Sequence, residues 1–281
     1  EAAEQICNMM VLTPYPGFEG EGFSMPCRNV LPKPLQQPHP PLWMACTNRD
    51  TIKVAAQNGV GALAFAFLDP DEARNWSKIY YDIIKSEECV PLGWSVNANL
   101  AMVSAFSMHE DRAEAIRRGQ DNFEFFRYSQ QKLVAEDFVP GYSDMWGEFL
   151  EKRGDASDRL IQAALARGEY DGAGIGTPQD MQRHLANMQE AGVDQVVFLQ
   201  QAGRNSHANI CESLELFADT VMPQFTRDVA EREARKQEEL APYIEAAMAR
   251  KQRMPALARE DVPVVKAAVK AATPYGAKKA S

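Results

Sequence analysis

Two short apolar runs, separated by one helix's worth of amphipathic sequence, constrain this chain more than any other feature. Leu42-Trp43-Met44-Ala45-Cys46 is long enough for one buried strand. Thr47-Asn48-Arg49-Asp50-Thr51 then supplies helix-capping residues, Ile52, Val54, Ala55 and Ala56 mark the helix, and Asn58-Gly59 ends it. Gly61-Ala62-Leu63-Ala64-Phe65-Ala66-Phe67 is a second apolar run of strand length. A buried strand, a helix and another buried strand make a βαβ unit, because parallel neighbours need a crossover connection. Ligands of parallel sheets sit outside the carboxyl ends of the strands, and a helix N-terminus offers unpaired N–H groups to a phosphate. The turn at residues 48–51 is therefore the first candidate for a phosphorylated ligand.

The pattern recurs along the chain. Asp69-Pro70-Asp71-Glu72 caps a second helix, whose stripe is Ala73, Trp76, Ile79, Tyr80, Ile83 and Ile84. A third strand is expected over residues 92–103, followed by a helix from His109 to about Leu133. Residues 135–175 are less regular, with short helices expected near 144–153 and 156–167. An excursion of this length is either a lid over a site or a solvated insertion. Gly176-Thr177-Pro178-Gln179-Asp180 starts another helix, Met181, Leu185 and Met188 give its buried stripe, and residues 193–199 read as a fourth strand. A helix from His207 to about Met222 closes at Pro223.

Strand and helix thus alternate four times, which implies an α/β fold with a parallel sheet and helices outside it. Four such units are half of a (β/α)8 TIM barrel; a doubly wound open sheet is the alternative. Residues 11–41 are a Pro- and Gly-rich connector with a small hairpin around Phe18 and Phe23. The expected division is a barrel-type region over 1–225, with 135–175 as insertion or lid, and an amphipathic helical tail over 226–281.

Net charge and composition exclude some functions. A charge of −9 argues against binding a nucleic-acid backbone, and no apolar run approaches the roughly 20 residues that span a bilayer. The five cysteines are scattered without a CxxC pair, which suits a reducing cytoplasm. None of the four histidines has a second ligand-type residue at zinc spacing, so no metal site is expected. Residues 1–10 read as a helix already under way, and an N-terminal part before Glu1 is expected.

Four segments together resemble the C-terminal half of the luciferase-like flavin-dependent monooxygenases. They are the proline-rich approach at 32–41 into Leu42-Trp43-Met44-Ala45, and residues 48–51 with Ala55-Ala56 and Gly59. The others are Gly176-Thr177-Pro178 with residues 191–196, and residues 213–218 with 221–225. The resemblance spans roughly residues 28–225 and implies a (β/α)8 barrel of which these are strands five to eight. It also implies non-covalent FMN, or in one branch deazaflavin F420. By the same resemblance, reduced FMN from a flavin reductase would react with O2, an organic small molecule would be oxidised, and the full-length protein would be a homo-oligomer. Within this frame the rivals are an F420-dependent oxidoreductase and a non-catalytic half-barrel acting as an interaction module.

By that resemblance, Asn48 and Thr51 hold the positions of a Ser-x-x-Thr-like turn at the flavin phosphate, with Arg49 able to add a bidentate contact. An ordinary helix cap without ligand accounts for the same residues. Trp43, Phe65, Trp94 and Asn97 fall on expected strands and are candidates for the flavin or substrate pocket, with core packing the alternative for Trp43 and Phe65. A buried Asn97 needs partners, from a ligand or from a polar layer. The loop at 200–207 follows the last strand; Arg204 could bind an anionic substrate group and His207 could act as acid or base. The bland alternative is a cap made by Asn205 or Ser206. No nucleophile–base pair stands out, in keeping with chemistry carried by a cofactor.

Overall fold

The computed structural model describes residues 1–64, 69–135, 139–170 and 172–264. Phe65 and the end of its expected strand lie outside the described residues. By their contacts the described residues form two units.

The first unit comprises Glu1–Pro40, Leu92–Ser95 and residues 252–264. Helix α1 (Ala2–Val11) opens it, and Lys33 Nζ donates to the carbonyls of Met9 and Leu12 at its C-terminus, each at 2.6 Å. A small antiparallel hairpin pairs β1 (Phe18–Glu19) with β2 (Ser24–Met25), and the Phe18 and Phe23 rings lie 5.2 Å apart. A buried polar network holds the unit together. Tyr15 Oη donates to Gln5 Oε1 at 2.9 Å, and Trp94 Nε1 donates to Asn8 Oδ1 at 2.9 Å. His39 Nε2 accepts from the Trp94 backbone N–H at 2.8 Å.

The second unit, Pro41–Pro91 with Val96–Lys251, carries the sheet. Its strands are β3 (Trp43–Cys46), β4 (Gly61–Ala64), β5 (Leu100–Ala105), β6 (Ser107–Met108), β7 (Ile175–Gly176) and β8 (Gln195–Leu199). The order β3-β4-β5-β8 is parallel throughout, and β6 pairs with β7, also parallel. Helices α2 (Arg49–Gln57) and α3 (Pro70–Ile84) follow β3 and β4. After β6 come α4 (Arg112–Ala135), α5 (Met145–Arg153) and α6 (Ala156–Arg167), and α7 (Pro178–Glu190) returns the chain to β8. Then α8 (His207–Thr220), α9 (Met222–Thr226) and α10 (Val229–Arg250) complete the unit. Among the described residues no helix is long and apolar enough to cross a membrane.

Register fixes the two faces of the sheet. Cys46, Ala64, Met102 and Val196 share a row, as do Ser104 and Phe198. Paired residues project to one side and successive residues alternate. This side packs under helices: Phe198 meets Phe106 and Phe217 with ring centroids 4.6 and 5.3 Å away, joined by Met108, Met181, Leu185 and Val221. On the opposite side lie Trp43, Leu63, Ala101, Val103 and Val197, of which Trp43 and Val197 are 39% and 42% exposed.

Three expectations change. The third strand starts at Leu100, not residue 92, because Trp94 is bound into the first unit and the Asn97 amide donates to the Leu42 carbonyl. A short pair, β6 with β7, was not expected at all. Among the described residues the expected helical tail is one long helix, Val229–Arg250, which continues through Pro242, followed by a 3-10 turn, Arg259–Asp261.

Candidate functional site

Because the strands run parallel, the connections that follow them emerge at one edge, where α/β sheets bind ligands. Five of the candidate residues lie there: Asn48, Arg49 and Thr51 after β3, and Arg204 and His207 after β8.

The turn after β3 is a complete capping box. Asn48 Oδ1 accepts from Thr51 N at 3.0 Å, and Thr51 Oγ1 accepts from Asn48 N at 3.3 Å and Thr47 N at 3.1 Å. The hydroxyl itself donates to the Asn48 carbonyl at 2.8 Å. The backbone N–H groups of Arg49 and Asp50 have no partner among the described residues and project at the helix N-terminus. Asp50 is turned along its own helix to Lys53, at 3.1 Å. The Arg49 guanidinium is engaged by Glu72 in the first turn of α3, at 2.8 and 2.7 Å. Hydrogen bonds from Arg49, then from Trp76, hold the Glu72 carboxyl down to about 2.

The loop after β8 is clamped by the helical excursion. Asn122 on α4 accepts the Arg204 backbone N–H at 2.6 Å, and the Arg204 guanidinium lies 5.1 Å from the centre of the Trp146 ring on α5. Gly203, at φ 60°, makes this possible, since a Cβ there would stand 2.5 Å from Asn122 Oδ1 and 2.8 Å from the Trp146 ring. Ser206 is the cap of α8, accepting from Asn209 N at 3.2 Å. His207 is exposed, and its Nε2 lies 3.5 Å from Cys211 Sγ one turn on. In the same loop Gln200 Oε1 and Asn205 Oδ1 are buried with no hydrogen-bond partner among the described residues. Each is an acceptor that water or a ligand N–H must serve, at a cost of about 1–3 kcal/mol otherwise.

The other candidates lie elsewhere. Trp43 opens β3 at its amino end. Asn97 precedes β5, donating to the Leu42 carbonyl at 2.9 Å and accepting from Asn99 Nδ2 at 2.6 Å. Trp94 belongs to the first unit, with the Arg253 guanidinium 5.4 Å from its ring. Phe65 is outside the described residues.

The luciferase-like monooxygenase family matches over residues 5–195. The chain belongs to that family. No curated protein matches this luciferase-like chain. Among solved structures it is similar to monooxygenase RslO1 from Streptomyces bottropensis, at 17% identity and TM-score 0.51, over 80% of this chain and 58% of that one. It is also similar to the coenzyme F420 dependent tetrahydromethanopterin reductase from Methanopyrus kandleri, at 17% identity and TM-score 0.51, over 79% of this chain and 62% of that one. A weaker likeness, TM-score 0.45 at 16% identity over 78% and 60% of the two chains, links it to the oxygenating constituent of 3,6-diketocamphane monooxygenase from Pseudomonas putida, a complex with FMN. The chain spans about six tenths of the length of these structures. The two likenesses at TM-score 0.51 place the fold among barrel-type relatives of the family.

The N–H groups of Arg49 and Asp50, without a partner among the described residues, stand where a helix dipole favours an anion such as a phosphate. The Thr51 hydroxyl is already satisfied within the capping box. Sequence reasoning missed Glu72, Asn122 and Trp146. Glu72 was visible only as a first-turn acid, and nothing local tied Asn122 or Trp146 to residues more than fifty positions away.

Proposed function

We propose that this chain is the C-terminal part of a flavin-dependent monooxygenase that uses reduced FMN and O2 to oxidise an organic small molecule. The observation that carries the proposal is the α2 N-terminus, with unpaired Arg49 and Asp50 N–H groups at the carboxyl edge of a parallel sheet in a luciferase-like chain. Bound reduced flavin would supply the electrons that activate O2. The chain's own part is to hold the phosphate at residues 49–50 and to cover the edge with α4 and α5. In the loop after β8, Arg204 would orient an anionic group and His207 would move a proton.

The four strands β3, β4, β5 and β8 correspond, in this proposal, to the last four of the family's eight. A flavin reductase, a homo-oligomer of the full-length protein and a cytoplasmic location belong to the same proposal; the last draws on five free cysteines.

Titration with FMN and with F420, followed by O2 consumption with reduced FMN, tests it. Quenching of FMN fluorescence together with O2 uptake is the expected result. Selective F420 binding transfers the assignment to an F420-dependent oxidoreductase. A folded protein that binds neither is a non-catalytic module.

A further inference from the structure

A second polar cluster is built at the carboxyl end of the central strand, β5. Ser104 Oγ lies 2.9 Å from His184 Nε2 on α7 and 3.0 Å from each of the Ala105 and Ala173 carbonyls. Both Ser104 and His184 are 6% exposed. The hydroxyl has one proton, so when it donates to a carbonyl the bond to the imidazole is completed by His184 Nε2–H donating to Oγ.

The segment that closes on this pair is held in an unusual backbone. Ala173 has φ 46°, a left-handed value at a residue with a Cβ. Gly174 follows at φ 101°, where a Cβ would stand 2.1 Å from the Ala105 carbonyl oxygen and 2.7 Å from Ser104 Oγ. Such conformations persist only where the surroundings over-determine them, and they gather at ligand sites.

Ser104, His184 and Ala173 line a cavity of about 220 Å³ together with Phe123, Arg127 and Asp69. Arg127 is exposed and carries no ion pair among the described residues. The carboxylate of Asp69 is turned to α3, capping it by accepting from Glu72 N at 2.9 Å. The cavity is smaller than the roughly 300–1,000 Å³ of a drug-sized pocket and too small for a flavin.

We propose that this cavity binds a small carboxylate, with the Arg127 guanidinium supplying the countercharge and the Ser104 hydroxyl, swung from its carbonyl partner while His184 Nε2–H still donates to Oγ, supplying a hydrogen bond. The proposal does not depend on flavin binding, and its test uses the flavin-free protein. Butyrate is titrated by calorimetry while the His184 ring resonances are followed by NMR, with butyramide as the neutral isostere. The expected result is saturable butyrate binding that moves the His184 signals in step, with butyramide at least tenfold weaker. Arg127→Gln weakens butyrate about tenfold, and Ser104→Ala weakens it as well. Because Arg127 is exposed, its variant keeps the fold even where Ser104→Ala does not. Absence of butyrate binding, equal affinity for butyrate and butyramide, or an unchanged affinity in Arg127→Gln overturns the proposal.

Discussion

Arg49 and Glu72 meet in a two-pronged ion pair, Nε to Oε1 at 2.8 Å and Nη2 to Oε2 at 2.7 Å. The pair ties the first turn of α2 to the first turn of α3. It also takes up the Arg49 guanidinium beside the proposed phosphate position and neutralises it. Trp76 Nε1 donates to the same carboxylate at 2.6 Å, so Glu72 is fixed from two sides.

The Glu72 carboxyl is held at about 2 against an ordinary 4.5, chiefly by hydrogen bonds from Arg49 and Trp76. A folded value below the unfolded one means that the pair's stabilisation is complete above about pH 4.5 and fades as the pH falls towards 2. Carboxyl NMR should therefore show Glu72 titrating far below the exposed glutamates. A midpoint near 4.5 would mean that the pair does not form in solution.

Releasing Arg49 should favour an anion. Glu72→Gln removes the competing charge, and FMN affinity, read by fluorescence quenching, is expected to rise about three- to tenfold. An unchanged affinity would remove the Arg49 side chain from the phosphate site and leave only the backbone donors.

Trp146 and Asn122 pin the loop after β8 to the helical excursion. Trp146→Ala should speed amide exchange in residues 201–205 and lower stability by about 1–2 kcal/mol, while the sheet remains protected. Exchange in that loop as slow as in the parent would show that the clamp does not govern it.

Asp194 accepts from Tyr81 Oη at 2.6 Å, from Leu100 N at 2.7 Å and from Lys236 Nζ at 2.6 Å. Burial, then the neighbouring Asp194 charge, pushes the Tyr81 hydroxyl up, so it stays a donor. One carboxylate thus joins β5, α3 and α10. Asp194→Ala takes the acceptor from the Leu100 N–H and leaves Tyr81 with the Ala98 carbonyl and Lys236 with Asn99 Oδ1, and should cost about 1–3 kcal/mol in urea denaturation. A loss below about 0.5 kcal/mol would show that water replaces the carboxylate freely.

Strands β3 and β8 have no outer neighbour among the described residues, and the face with Trp43 and Val197 is partly exposed. Open edges and apolar faces recruit further strands. Residues 1–281 alone are expected to associate as concentration rises in sedimentation velocity experiments. A compact monomer across the range would show that these edges are protected.

Local signals carried much of this. The caps at Asn48, Asp69, Thr177 and Ser206 all act where their residue types place them, each accepting from the backbone N–H three residues on. The stretch at residues 92–99 was misleading because strand-like alternation there reflects buried partners. Trp94 answers to Asn8 and His39, and Asn97 to Leu42, none of them near in sequence. His184 could have been noticed as a polar residue in the apolar stripe of Met181, Leu185 and Met188, but its partner Ser104 lies eighty residues earlier.

By itself the sequence determined the alternation of strands and helices, the helix caps at Asn48, Asp69 and Thr177, and the family, because hydrophobic period and capping chemistry act over a few residues. The tertiary structure decided what each polar group faces. It gave Arg49 to Glu72, turned Asn97 to a carbonyl and set Ser104 against His184. Those outcomes depend on which distant segments the sheet register and helix packing bring within hydrogen-bond reach, and no local spacing encodes that.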